Sequence, residues 1–231
     1  MSETKPVPAS LDNAVWHALT GPQAAFAERC GDAVRYQSDV AVFAGIPDAP
    51  VADDWDALRS LVGPGNAAFL FRVAATNVPS AWTIALAMPS LQMIAPAAFV
   101  GVPVAQVEEI RDDRELDELI TTTRPGPWLA RTRSLGPFFG IYEDDELIAA
   151  AGVRMVTDDA TEISAVATAA SARGRGLARV LVSFVATRIR EEGRTPCLHL
   201  LADNLAARRC YERLGFEYRP AFDGLAVVAP H

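Results

Sequence analysis

A strand-like segment, Thr161 to Thr168, runs into Ala172-Arg173-Gly174-Arg175-Gly176-Leu177-Ala178-Arg179, and a strongly amphipathic helix follows. This strand–turn–helix passage constrains the fold more than any other stretch. Two glycines at such a turn let the backbone approach a ligand closely, because no Cβ stands in the way. The first amides of a helix lack internal acceptors and point outward as donors. With the helix dipole they form a site suited to phosphate. Three arginines in seven residues reverse the local sign of a chain whose net charge is -8. A phosphate-bearing ligand is the reading these residues favour, against the alternative of a surface turn with solvated arginines.

Two nucleotide-binding readings fail on composition. A P-loop requires Gly-Lys-Ser or Gly-Lys-Thr at the end of the turn, and the only lysine is Lys5. A dinucleotide fingerprint requires a third small residue where Arg179 stands, and an acidic residue at a strand end about twenty positions on. Glu191 and Glu192 instead close the following helix.

Downstream, Pro196 to Leu201 reads as a short strand, followed by Asn204-Leu-Ala-Ala-Arg-Arg-Cys-Tyr211-Glu-Arg-Leu-Gly215-Phe216. Arg173, Gly176 and Ala178 meet the pattern Arg/Gln-x-x-Gly-x-Gly/Ala, and Asn204, Tyr211, Gly215 and Phe216 meet its later half. In this order, on a strand–turn–helix–strand–helix frame, the chain resembles the GNAT superfamily of N-acetyltransferases. The resemblance covers roughly residues 106–231 and is dense from Glu162 to Phe216. It is nearest to the glycine N-acyltransferase-like branch, whose members carry an extra amino-terminal half.

The resemblance implies an α/β fold with a mixed, mostly antiparallel central sheet flanked by helices, plus an additional amino-terminal α/β half. It implies direct transfer of an acetyl group from acetyl-coenzyme A to a primary amine. The amides from Arg173 through Gly174, Arg175, Gly176, Leu177, Ala178 and Arg179 would hold the coenzyme pyrophosphate. The backbone of Val166, Ala167 and Thr168 would pair with the pantetheine arm in a wedge between Thr168 and the strand at Pro196 to Leu201. An amide near Val166 could polarise the thioester carbonyl, a role typically worth ~3 kcal/mol. Asn204 would bond the arm from the far wall, or serve only as a helix cap. Tyr211 is the candidate general acid for the departing thiolate, seven residues after Asn204 and so on the same helical face.

Glu162 is the candidate base, directly or through water, with a solvated strand-end carboxylate as the alternative. His199, between Leu198 and Leu200, reads as structural, and Cys197 and Cys210 as packing. Trp128, Arg131, Phe138 and Phe139 occupy the segment that usually lines the acceptor side in this family, with a place in the core as the alternative for each. A different acyl-coenzyme A, or a non-catalytic sensor of one, fits the same motif.

The size admits one large domain or two small ones. The sequence carries 50% hydrophobic residues, but no uninterrupted run nears the ~20 needed to span a bilayer. Met1 to Pro6 lacks the basic patch and apolar core of a secretory signal. Cys30, Cys197 and Cys210 are an odd set without metal-ligand spacing, which suits reduced thiols in the cytoplasm and no metal. The acidic balance argues against nucleic acid or an anionic membrane as partner. It suits a cationic amine, though solubility alone also accounts for it.

Two parts are expected, 1–104 and 105–231, meeting near Val104 and carrying a net -4 each. In the first, Asn13 to Glu28 reads as a helix interrupted near Gly21-Pro22. Asp53 to Leu61 reads as a helix capped by Asp53 or Asp54 and stopped at Gly63-Pro64-Gly65. Ala67 to Val73, Trp82 to Ala87 and Leu91 to Ile94 read as strands. This part carries no chemical motif, and packing, dimerisation or substrate shaping are its candidate roles. A homodimer is therefore an admissible partner arrangement. In the second part, Asp112 to Ile120 is helical, and Phe138 to Tyr142 and Glu146 to Val156 form a hairpin around Asp144-Asp145. The helix after the glycine turn buries Leu177, Val180, Leu181, Phe184, Val185 and Ile189, with Gly193 as cap. Phe216 to Arg219 and Leu225 to Val228 close the chain. No internal repeat is visible.

Overall fold

The computed structural model describes residues 7–73, 77–97, 99, 101, 106–219 and 222–231. Met1 to Pro6, on which the leader reading rests, and the boundary near Val104 lie outside the described residues.

The amino-terminal part begins with a 3-10 turn, Ala9–Asn13, and helix α1, Ala14–Thr20. Strands β1 (Ala27–Cys30), β2 (Ala33–Tyr36) and β3 (Phe43–Gly45) follow, then α2 (Ala52–Val62), β4 (Ala67–Val73) and β5 (Thr83–Ile94). The second part contains β6 (Glu108–Glu109), α3 (Asp113–Thr123), β7 (Phe138–Glu143), β8 (Glu146–Val156) and β9 (Ala160–Thr168). It ends with α4 (Leu177–Glu191), β10 (Thr195–Leu201), α5 (Leu205–Arg213), β11 (Glu217–Tyr218) and β12 (Phe222–Val228).

Among the described residues the strands form one sheet, in the order β1-β2-β3-β4-β12-β5-β10-β9-β8-β7-β6, with β11 also paired to β5. The order has a palindrome in it. β1-β2-β3 run antiparallel, and β3 returns through α2 to a parallel β4. β7-β8-β9 do the same, and β9 returns through α4 to a parallel β10. The next strand of each half crosses into the other: β5 pairs with β10, β12 with β4, and β5 and β12 pair antiparallel at the centre. The halves thus repeat one topology that no residue pattern reveals, because sheet order depends on long-range pairing and not on local sequence.

Several local expectations hold for physical reasons. Asp112 caps α3 by accepting from the Arg114 amide at 2.9 Å, and Arg124 closes the helix in a left-handed conformation (φ 49°). Asp144 and Asp145, at φ 50° and 62°, make the two-residue hairpin between β7 and β8. In α4, Leu181, Val185 and Ile189 are buried while Leu177, Val180 and Phe184 pack at the margin of the same cluster.

Others differ. The helix expected over Asn13 to Glu28 ends at Thr20, and Ala27–Cys30 is instead an edge strand paired to β2. α2 is capped at Val51, whose amide donates to Asp54 at 2.8 Å, so Asp54 is the capping partner inside the helix. The two strands expected around Leu86 and Leu91 are one, running through Pro89. The missing N–H of Pro89 falls where β10 has not yet begun to pair, since β10 joins β5 only from Ser90 onward.

Candidate active site

The site opens where the sheet splits. β9 and β10 pair in parallel only over Ala160–Glu162 and Thr195–Cys197. Beyond that, β9 bends away. Against β8, Ala150 faces Ala167 but Gly152 faces Ser164, so β9 carries an extra residue in the ladder. Ala165 absorbs it in a left-handed conformation (φ 50°), a bulge that turns the strand. β10 meanwhile stays bound to β5 as far as Leu201. The strands diverge, and the peptide groups of Ile163 to Thr168 on the β10 side have no strand partner. This is the wedge expected between Thr168 and the β10 strand.

At its mouth, Gly174 (φ 80°) and Gly176 (φ 81°) both occupy the left-handed region that favours glycine. A Cβ at either would meet nothing within 4 Å, so the turn stands open on its ligand side. Arg175 makes a two-pronged ion pair with Glu143 at 2.6 and 3.0 Å, and Arg173 reaches only the Thr168 carbonyl, at 3.4 Å. On the far wall, Asn204 accepts from the Ala207 amide at 3.1 Å and so caps α5, leaving its side-chain NH₂ available.

One cavity of about 1260 Å³ joins these elements. Val166, Ala167, Thr168, Arg173 through Arg179, Asn204 and Tyr211 all line it. Tyr211 is 7% exposed, and burial raises its phenol well above the ordinary value, so it stays protonated at neutral pH. Among the described residues no protein group hydrogen-bonds its hydroxyl.

Glu162 departs from the solvated strand-end alternative. It is 1% exposed and accepts from Arg154 Nε at 2.9 Å and Nη2 at 2.7 Å. His199 Nδ1 lies 2.8 Å from its Oε1. Burial alone would raise this carboxyl, but the Arg154 charge and the His199 hydrogen bond hold it at about 2. The network fixes its own proton positions. Arg219 donates to Gln92 Oε1 at 2.6 Å, which turns the amide nitrogen toward the Leu11 carbonyl (2.9 Å) and His199 Nε2 (2.8 Å). His199 therefore accepts at Nε2 and donates from Nδ1 to Glu162. Arg154, Gln92 and Arg219 carried no sequence signal, because partners this distant in the chain are joined only by the folded sheet.

The other end of the cavity is aromatic, and strands β3, β4 and β5 supply much of it. Phe43, Phe69 and Phe71 line it from β3 and β4, with Met88 from β5. Phe43 stands 5.6 Å from Phe69 and 5.4 Å from Phe71, centroid to centroid. Trp128 and Phe138 also line the cavity, in T-shaped contact with each other at 5.3 Å. Of the four residues anticipated on this side, Arg131 is drawn off to Gln37 and Asp39, and Phe139 packs on Phe184 in the α4 core. Cys30, Cys197 and Cys210 are all free thiols. Among the described residues no group of three His, Cys, Asp or Glu is placed to hold a metal ion, and no helix is long and apolar enough to cross a membrane.

Bulged strand, open glycine turn and split sheet together define an acetyltransferase class of α/β fold. A profile of the FR47-like protein family matches residues 138–222. A solved structure from Novosphingobium aromaticivorans, described as an acetyltransferase from the GNAT family, is 30% identical, with 97% of this chain and 100% of that one aligned at a TM-score of 0.84. A GCN5-related N-acetyltransferase from Kribbella flavida shares the fold at 17% identity and a TM-score of 0.68, over 97% of each chain. An acetyltransferase of the GNAT family from Colwellia psychrerythraea does so at 13% identity and 0.55, over 84% of this chain and 80% of that one. No curated protein matches the chain. The chain belongs to the GNAT family of acetyltransferases.

Proposed function

We propose that the protein moves an acetyl group from acetyl-coenzyme A to a primary amine held at the aromatic end of the cavity. The observation that carries this reading is the wedge opened by the Ala165 bulge, with the glycine turn at its mouth and Tyr211 on its wall. The residues fit an acyl-coenzyme A: open positive-φ glycines for the pyrophosphate, arginines around it, and unpaired β9 peptide groups for an extended amide-bearing arm. When bound, the coenzyme supplies an activated thioester.

The chain's own residues provide positioning and proton transfer. The amides of Arg173 to Arg179 and the α4 dipole bind phosphate. The β9 peptide groups of Val166, Ala167 and Thr168 hold the arm in register, and the Asn204 NH₂ donates from the opposite wall. Holding both reactants in one cavity replaces a bimolecular encounter with an oriented one. As the C–N bond forms and the C–S bond breaks, the Tyr211 hydroxyl gives its proton to the departing sulfur. The surplus proton on nitrogen restores the phenol through solvent in the cavity. Glu162, the candidate base of the sequence, has both oxygens engaged by Arg154 and His199 and serves instead as a positioning residue that fixes the floor of the acceptor end.

In the finer placement, we assign the chain to the glycine N-acyltransferase-like branch, with residues 1–104 shaping the acceptor end. A reducing, cytoplasmic location is supported by the three free thiols. The test is release of free thiol from acetyl-coenzyme A across a panel of amines. Thiol release that depends on both substrates supports acetyl transfer. Faster release from a longer acyl-coenzyme A would reassign the donor, and coenzyme binding without release from any amine would make the protein a sensor.

A further inference from the structure

The acceptor end of the cavity has a chemical bias of its own. Arginines line the cavity, but no aspartate, glutamate or lysine does among the described residues. Most of those arginines belong to the glycine turn and to α5, at the coenzyme end. At the acceptor end, Arg124 lines the cavity beside Trp128 and adds positive charge, while Arg154 is neutralised by Glu162 through two hydrogen bonds, its guanidinium lying over the Phe43 ring at 4.8 Å. Glu162 is itself 1% exposed and consumed by its two partners, so it offers no counterion to an incoming ammonium. A polyamine, an aminoglycoside or a lysine-rich tail would bring several positive charges into a chamber with no carboxylate to receive them. Uncompensated charge in such a site is costly.

What the acceptor end does offer is ring surface. Phe69, Met88 and Trp128 are only partly buried and present accessible apolar area into the cavity. They line the one cavity from separate elements, β4 and β5 for Phe69 and Met88 and the segment after α3 for Trp128. Flat apolar walls of this kind stack an aromatic ring. Ser90 and Thr132 add small polar contacts without charge.

We infer that the acceptor is a ring-bearing monoamine: an apolar aromatic group seated on the ring surface that Phe69 and Trp128 contribute to the cavity, carrying one primary amine toward the wedge. This rests on the acyltransferase reading for the direction of the amine, but the aromatic wall is testable without it.

The experiment titrates the protein with 2-phenylethylamine and, separately, with spermidine, following tryptophan fluorescence and heat, with and without saturating coenzyme A. Steady-state thiol release from acetyl-coenzyme A is then measured with both amines. Saturable binding of 2-phenylethylamine, a kcat/KM at least about tenfold above that for spermidine, and a KM raised about tenfold by Phe69→Ala with the acetyl-coenzyme A KM unchanged are the expected results. Phe69→Leu keeps the strand apolar and moves KM in the same direction, should Phe69→Ala fail to fold. Equal or tighter binding of spermidine, or a KM indifferent to the ring at Phe69, overturns the inference while leaving the coenzyme reading intact. Failure of coenzyme A to bind, with 2-phenylethylamine still bound, overturns the coenzyme reading and keeps the aromatic site.

Discussion

The Phe71 ring stands edge-on to the His199 imidazole, with centroids 4.7 Å apart and planes at 66°. Phe71 comes from β4 and His199 from β10, so the contact ties together strands from the early and late parts of the chain. Phe222 of β12 completes the cluster, 4.5 Å from Phe71 and 4.7 Å from His199. All of them sit over the centre of the sheet, where the two halves exchange strands. Truncating Phe71 to Ala should cost about 3 kcal/mol through the cavity it leaves. Chemical denaturation would show the loss, as a single transition for both halves.

Tyr211→Phe removes the proton and keeps the ring. Turnover should fall ~10²-fold or more while the affinity for coenzyme A stays within about twofold. Steady-state kinetics together with calorimetry separates the two quantities. Unchanged turnover would take Tyr211 out of the mechanism.

Glu162→Gln leaves the Arg154 guanidinium buried with no charge to balance it. The expected loss is about 3 kcal/mol, and Arg154→Met in the same chain should restore part of it. Denaturation of the single and double variants measures both.

The same carboxylate gives the stability a pH signature. Its folded value is lowered from 4.5 to about 2. A group depressed on folding contributes fully above its unfolded value and loses the contribution as pH falls toward its folded one. The stability gap between the native chain and Glu162→Gln should therefore be constant above pH 4.5 and narrow between 4.5 and 2. Melting temperatures across that window provide the check, and a gap that widens on acidification would contradict the pairing.

Glu143 competes for Arg175 in the absence of ligand, through an exposed pair with the two side chains 45% and 50% accessible. Glu143→Gln should tighten coenzyme A binding two- to fivefold at low ionic strength, with the gain fading near 0.5 M salt as screening removes the pair. Calorimetric titration at two salt concentrations measures it.

The residues that could be read from sequence are those whose geometry is local. Gly174, Gly176, Asp144, Asp145 and Asn204 announce turns and caps through backbone preference, and the apolar period from Leu177 to Ile189 announces a helix. The wedge followed from the resemblance, while its cause, the Ala165 bulge, carries no local mark because alanine has no preference for a left-handed turn. The acceptor wall stayed hidden for another reason. Phe43, Phe69 and Phe71 look like ordinary strand hydrophobics until the strand exchange of β5 and β12 brings β4 toward β10. Arg154 and Glu162 are only eight residues apart, but a bulged hairpin rather than a helix or turn brings them together, and His199 joins them from across the sheet.

A coenzyme pyrophosphate gripped by the glycine turn would be displaced by a carboxylate placed there, as in Gly176→Glu. The space around a Cβ there is open, so the variant should fold, at a cost of about 1 kcal/mol for the left-handed backbone. Titrated with coenzyme A in a calorimeter, the native chain should show saturable binding and the variant none. Equal affinity in the two proteins would contradict the assignment and with it the acyltransferase reading of the cavity.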